Sequence, residues 1–138
     1  MIELDQSLKN PEIRRAVASY GQKLPDLTPP PSGNISRRKE NRIAITPSAE
    51  DYDSLEPRDI PILSLENKNL TPQLNPSSES QLHRDLYKSF DFTTVVHTHS
   101  PWATTLAVLR NPLPPVHYSS TPAGREIPVA DYATFGTK

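Results

Sequence analysis

The sequence predicts an α/β domain with a layered sheet, and three observations carry that prediction. Short β-type runs alternate with helical runs along the chain. The helical runs place apolar residues three and four apart and carry start and stop signals. The length, 138 residues, suits one domain around one core.

In the first helix Asn10 is the N-cap candidate, Pro11 suits the first helical position and Gly21 sits at the C-terminal end. Ile13, Ala16, Val17 and Tyr20 give that helix one apolar face. "KLPDLTPPPSGNIS" then reads as loop, because three consecutive prolines forbid helix and central strand and Ser-Gly-Asn signals a turn. "RIAITPS" is a strand ending at Pro47, and "DIPILSL" is a second, placed at an edge by Pro61. A capping box from Ser78 to Gln81 opens a second helix with a Leu82, Leu86, Phe90 stripe. The run "TTVVHTHS" is the next strand. Ser100 and Pro101 open a third helix, with Leu106, Ala107 and Leu109 on its apolar face and Asn111-Pro112 at its end. "PPVHY" and "IPVADY" are short strand candidates.

Composition narrows the function. A formal net charge of −1 gives no basic footprint for nucleic acid and no polybasic membrane patch. No apolar run reaches the length of a membrane span, and "MIELDQSLKN" lacks the regions of a signal peptide. With no cysteine, a metal would have to be held by His and carboxylate. A soluble cytoplasmic protein is expected. Sixteen prolines against 4 glycines give a loop-heavy chain, and 34% hydrophobic residues are lean for a core.

His97 and His99 stand at i and i+2, so in a strand they project to one side. Paired imidazoles fill a core poorly and suit a metal, provided further ligands arrive. Glu79, at the start of the second helix, is the best third partner, making a nitrogen and oxygen set suited to Zn²⁺. Spacing alone leaves open that Glu79 is only a first-turn acid favourable to the helix dipole. A second constellation is anion-binding. "SGNIS" (with Gly33 and Asn34), "TPS" (Thr46 to Ser48) and the Ser77-Ser78 doublet offer amides and hydroxyls suited to a shared phosphate pocket. Each of these taken singly is more often a cap or a turn. His83 reads as solvated and Trp102 as packed. His117 is open, and Tyr118 is either a core aromatic or a proton donor.

Taken in order, "SGNISRR", "IAITPSAEDYDSLEPRDI", "PSSESQLHRDLYKS", "TTVVHTHSPWATTLAV" and "PPVHYSSTPAGREIPVADYATFGT" resemble the class II aldolase/adducin family, nearest its fuculose-phosphate aldolase branch. The resemblance runs from about Ser32 onward. It implies a layered α/β/α domain with a mostly antiparallel sheet, and a zinc-dependent retro-aldol lyase acting on a sugar phosphate. It implies that His97, His99 and Glu79 bind Zn²⁺, with Glu79 also the acid–base group. Gly33, Asn34, Ser48, Ser77 and Ser78 match phosphate-binding loops. Tyr118 matches a tyrosine that helps protonate the departing aldehyde, often across a subunit boundary in a homotetramer.

Some features depart from that pattern. The glycine of the family's "TPxG" loop is Ala49 here, and the loop before Gly33 is rich in proline. The family's third zinc histidine lies beyond Lys138, and "YATFGTK" reads as a stop in mid-domain. The expectation is therefore a single incomplete domain over residues 1–138, with weak activity or none and a doubtful tetramer. A sugar-phosphate epimerase or dehydratase of the same fold, and a non-catalytic adducin-like module, are the competing readings. An epimerase is disfavoured by Glu79, where that branch usually carries Asp.

Overall fold

The structure is a computed structural model that describes residues 10–29, 32–66, 68–124 and 126–134. The chain forms two compact units, Met1–His99 and Ser100–Lys138. In the first unit the strands are β1 (Asn34–Lys39), β2 (Arg42–Ile45), β3 (Ile62–Ser64) and β4 (Thr94–His97). They form one antiparallel sheet in the order β3-β2-β1-β4. Helix α1 (Pro11–Gly21) packs on one face through Ile13, Val17 and Ala18 against Ile35, Ala44 and Ile62. Helix α2 (Ser80–Ser89) packs on the other, where Tyr87 meets Ile43, Ile45 and Leu63. This is the expected α/β/α layering, and β3 with its Pro61 lies at the expected edge.

Strand β1 was not legible as a strand. It holds one apolar side chain, Ile35, so it lacks the alternation that marks a half-buried strand. It is nevertheless a central strand. Its alternation is between apolar and polar inner faces: Ile35 points into the α1 core, while Asn34 and Ser36 are buried on the α2 side. A two-residue turn joins β1 to β2, with Lys39 opposite Arg42 and Glu40 at φ +53°.

The buried polar face of β1 decides how α2 sits. Ser36 Oγ lies 2.6 Å from His83 Nδ1 and 2.8 Å from the Tyr87 hydroxyl, and His83 Nε2 lies 2.5 Å from Asn34 Oδ1. His83, read from sequence as solvated, is fully buried, and Leu82 and Phe90 of the expected apolar stripe are exposed. Burial of a polar side chain is tolerable when its partners are supplied, and β1 supplies them. The capping box also fails to form. The N-cap is Glu79, Ser77 Oγ accepts from the Glu79 amide at 3.3 Å, and Gln81 bonds Asp85 instead.

Two details of α1 differ from expectation. Asn10 is the N-cap but makes no side-chain cap bond. Gly21 is the last helical residue and serves close packing. A Cβ there would stand 2.9 Å from Leu55 Cδ1 and 3.3 Å from Thr46 Cγ2.

The second unit contains α3 (Pro101–Val108), opened by Ser100 as expected, and a 3-10 stretch at Tyr118–Ala123. "PPVHY" and "IPVADY" are not strands. Only an isolated bridge between Leu113 and Ile127 forms there. Trp102, Leu109 and Tyr118 are exposed, so neither the packed tryptophan, nor the apolar face of α3, nor a core role for Tyr118 is realised. Among the described residues no helix is long and apolar enough to cross a membrane.

Burial pushes the His83 pKa down to about 4, with a smaller contribution from nearby His97. Unfolding returns His83 to about 6.5, so between those values the unfolded chain binds more protons and stability falls as the pH drops. His83 should account for a loss of about 2 kcal/mol between pH 7 and pH 5. Urea denaturation of the wild type and of His83→Gln, which cannot titrate, checks this. The prediction fails if both chains lose stability equally.

Candidate active site

The three loops singled out by sequence are stitched together by their backbones. Thr46 donates its amide to the Ile35 carbonyl at 2.9 Å, and its hydroxyl accepts from the Ile35 amide at 3.2 Å. Its carbonyl accepts from the Ser77 amide at 3.1 Å. The Ser48 amide donates to Asn75 O at 2.9 Å, beside a bridge between Pro47 and Pro76. The Tyr52 hydroxyl donates to Gly33 O at 3.0 Å. Gly33-Asn34, Ser48 and Ser77-Ser78 are thus brought to one end of the sheet. Thr46, expected to offer a hydroxyl to an anion, is fully buried and spends that hydroxyl on Ile35.

Gly33 is required where it stands. It adopts φ +84°, and a Cβ would lie 2.9 Å from the His97 carbonyl oxygen and 2.8 Å from Thr28 Cγ2. Thr28, buried, also accepts from the His99 amide through Oγ1 at 2.9 Å. The turn before β1 therefore braces the segment that carries both histidines. Sequence reasoning passed over Thr28 and Tyr52, and it counted Ser36 only within an anion-binding loop, whereas its hydroxyl pairs with His83 and Tyr87. The signal available for Ser36 was the polar–apolar–polar order of "NIS", which is a strand pattern once polar inner faces are admitted.

His97 lies directly across from Asn34 in the β1–β4 ladder, so both side chains share the α2 face. That face brings His97 to Glu79 at the head of α2, where Nδ1 and Oε2 are 3.6 Å apart. The His97 and His99 rings are neighbours, with centroids 4.9 Å apart. Burial holds the His97 pKa below its usual value, Glu79 partly offsets that, and His99 adds to it.

The 3.6 Å contact is too long for a hydrogen bond. His97 Nδ1 is accordingly buried with no hydrogen-bond partner among the described residues. A buried ring nitrogen facing a carboxylate across such a gap, with a second imidazole beside it, fits a divalent cation of the zinc type. The contacts are two pairs that share His97. Among the described residues, no three His, Cys, Asp or Glu side chains are gathered closely enough to hold a metal by themselves. Tyr118 belongs to the second unit, with its ring 4.3 Å from that of His117.

An antiparallel sheet between helical layers, with a carboxylate and two imidazoles at its end beside a set of hydroxyl- and amide-bearing loops, is the architecture of a class II aldolase-type domain. A model of the Class II Aldolase and Adducin N-terminal domain matches residues 15–138, and the chain belongs to that family. A 5-deoxy-D-ribulose 1-phosphate aldolase of Bacillus thuringiensis serovar kurstaki is 40% identical over 130 residues, which is 91% of this chain and 61% of that protein. The L-fuculose phosphate aldolase of Escherichia coli K12 is 37% identical over 109 residues, covering 78% of this chain and 50% of the relative. Among solved structures, an L-fuculose 1-phosphate aldolase superposes with a TM-score of 0.84 at 37% identity, over 91% of this chain and 62% of its own. The l-fuculose-1-phosphate aldolase of Thermus thermophilus gives 0.71 at 26% identity, over 84% of this chain and 61% of its own. The chain thus spans between half and two thirds of these relatives.

Ala49 adopts φ +62°, in the left-handed region that favours glycine. A side chain strains the backbone there. Relief of that strain, about 1–2 kcal/mol, exceeds the freedom returned to the unfolded chain, about 0.4–1 kcal/mol. Ala49→Gly should therefore stabilise the chain by roughly 0.5–1 kcal/mol in urea denaturation. A less stable variant would contradict this account of the loop.

Proposed function

We propose that this chain provides the acid–base and phosphate-binding part of a zinc-dependent aldehyde-lyase that cleaves a ketose 1-phosphate by a retro-aldol reaction. The observation that carries the reading is Glu79 beside the buried, unbonded His97 nitrogen, at the end of the sheet where the three loops meet. L-fuculose 1-phosphate and 5-deoxyribulose 1-phosphate, taken from the relatives' names, are the proposed substrates.

Glu79, His97 and His99 are the residues that would hold the metal. When bound, Zn²⁺ supplies a Lewis acid that stabilises the negative charge left next to the carbonyl when the carbon–carbon bond breaks. The rest of the mechanism belongs to this chain's own groups. Asn34, Ser48, Ser77 and Ser78, with the backbone at Gly33, would bind the phosphate, and that remote binding orients the bond to be broken. Glu79, held by the Ser77 hydroxyl at its own amide, would take the proton from the substrate hydroxyl. Glu79 would then return that proton to the carbon left with the electron pair of the broken bond, so the aldehyde departs neutral. Tyr118 is the group proposed, by resemblance, to stand at the oxygen of the departing aldehyde.

Zinc binding and turnover test this separately. Calorimetric titration of the 138-residue chain should show Zn²⁺ binding that His97→Ala or His99→Ala weakens by at least ~10-fold. Where release of dihydroxyacetone phosphate from either substrate is measurable, Glu79→Gln should lower kcat by roughly 100-fold or more. Equal zinc affinity in both histidine variants and the wild type would sink the metal assignment.

A further inference from the structure

We propose that His83 is a positioning residue that sets the side-chain amide of Asn34, holding its oxygen inward so that the amide nitrogen is presented to a bound phosphate. The proposal rests on the reading of the Gly33-Asn34, Ser48 and Ser77-Ser78 loops as a phosphate site.

His83 is fully buried, and each ring nitrogen has one partner: Ser36 Oγ at 2.6 Å on Nδ1 and Asn34 Oδ1 at 2.5 Å on Nε2. A carbonyl oxygen only accepts, so Nε2 must carry the hydrogen. Neither partner is a carboxylate, and burial favours the neutral ring, which has one N–H. Nδ1 is then a bare acceptor, so the Ser36 hydroxyl donates to it. The Ser36 oxygen in turn accepts from the Tyr87 hydroxyl at 2.8 Å, whose alternative acceptor, Thr93 O, is 3.5 Å away. The reverse order would leave the Tyr87 hydroxyl only the 3.5 Å contact to Thr93 O, so the favoured order, with Asn34 Oδ1 on Nε2, is Tyr87 to Ser36 to His83 to Asn34.

That order fixes the amide. Turning it over would set the Asn34 NH₂ against the His83 N–H, two donors facing each other in a buried site. The consequence falls on the anion. A phosphate is attracted by the NH₂ of Asn34 and repelled by its carbonyl oxygen, so the amide orientation decides whether position 34 helps or hinders binding. Asn34 adjoins Gly33 and faces His97 across the ladder, so an error there lies at the centre of the loop cluster.

The probe is inorganic phosphate, titrated into the wild-type chain and three variants. His83→Met, which has no donor, should bind about 10-fold more weakly. His83→Gln, whose Nε2 can donate to Asn34 Oδ1, should recover most of that affinity. Ile43→Val, a packing loss in the same buried layer, should bind like the wild type and so separates positioning from lowered stability. Phosphate binding by His83→Met equal to that of the wild type overturns the proposal. The imidazole ¹⁵N spectrum of the wild type at about pH 7 should show His83 protonated at Nε2 alone. A hydrogen on Nδ1 would overturn the proposal even if His83→Met failed to fold. A wild type that ignores phosphate would bring down the loop reading, and the role given to His83 with it. The Nε2–H signal, present or absent, then tells whether the bond to Asn34 failed as well.

Discussion

The candidate site depends on the three backbone and hydroxyl bonds of Thr46. This residue closes β2 against β1 through two bonds to Ile35 and, from its carbonyl, takes the amide of Ser77. A strand end, a turn and the approach to a helix are thereby fixed to each other through one buried residue. Its methyl group lies beside the last residue of α1, where glycine alone leaves room. Loops that carry function are normally the mobile part of a fold. Here they are tied to a fully buried residue at the end of a central strand, which is what a site needs if its groups are to be held within a fraction of an ångström.

Sequence disclosed the elements whose signals are local. Pro11 at a helix start, Pro61 at a sheet edge and Ser100 before α3 each act within a few residues, and each stands where its chemistry placed it. The two imidazoles are neighbours, but β4 ends at His97, so His99, expected on the same strand face, is held by the bond from its amide to Thr28 rather than by strand alternation. What escaped was set by partners far along the chain. Ser36 and Asn34 make a strand out of a polar segment only because His83 and Tyr87 arrive to bond them. His83 in turn looked solvated because nothing near it in the sequence could accept it.

The same coupling explains the orientation of α2. Judged by hydrophobicity, Leu82 and Phe90 belong inside. The buried side is instead His83, Arg84 and Tyr87. A sheet face presenting Ser36 and Asn34 gives no gain to leucine, since covering those groups with carbon would leave them unbonded. It does reward a helix that brings a ring nitrogen and a phenol. Polar complementarity therefore overrides the apolar stripe, and it also places Glu79 at the end of the sheet that carries His97.

The position of β4 has a consequence for how the site comes into being. β1 and β2 are joined by a two-residue turn, whereas β4 reaches β1 only after β3 and α2 have intervened. Pairing across so long a stretch must meet a larger loop-closure entropy before it is rewarded. The hairpin is thus the natural seed of assembly, and β4 is a late arrival at the rim. Both imidazoles travel with that late arrival. On that order the candidate ligand set would be completed only as β4 seats against β1.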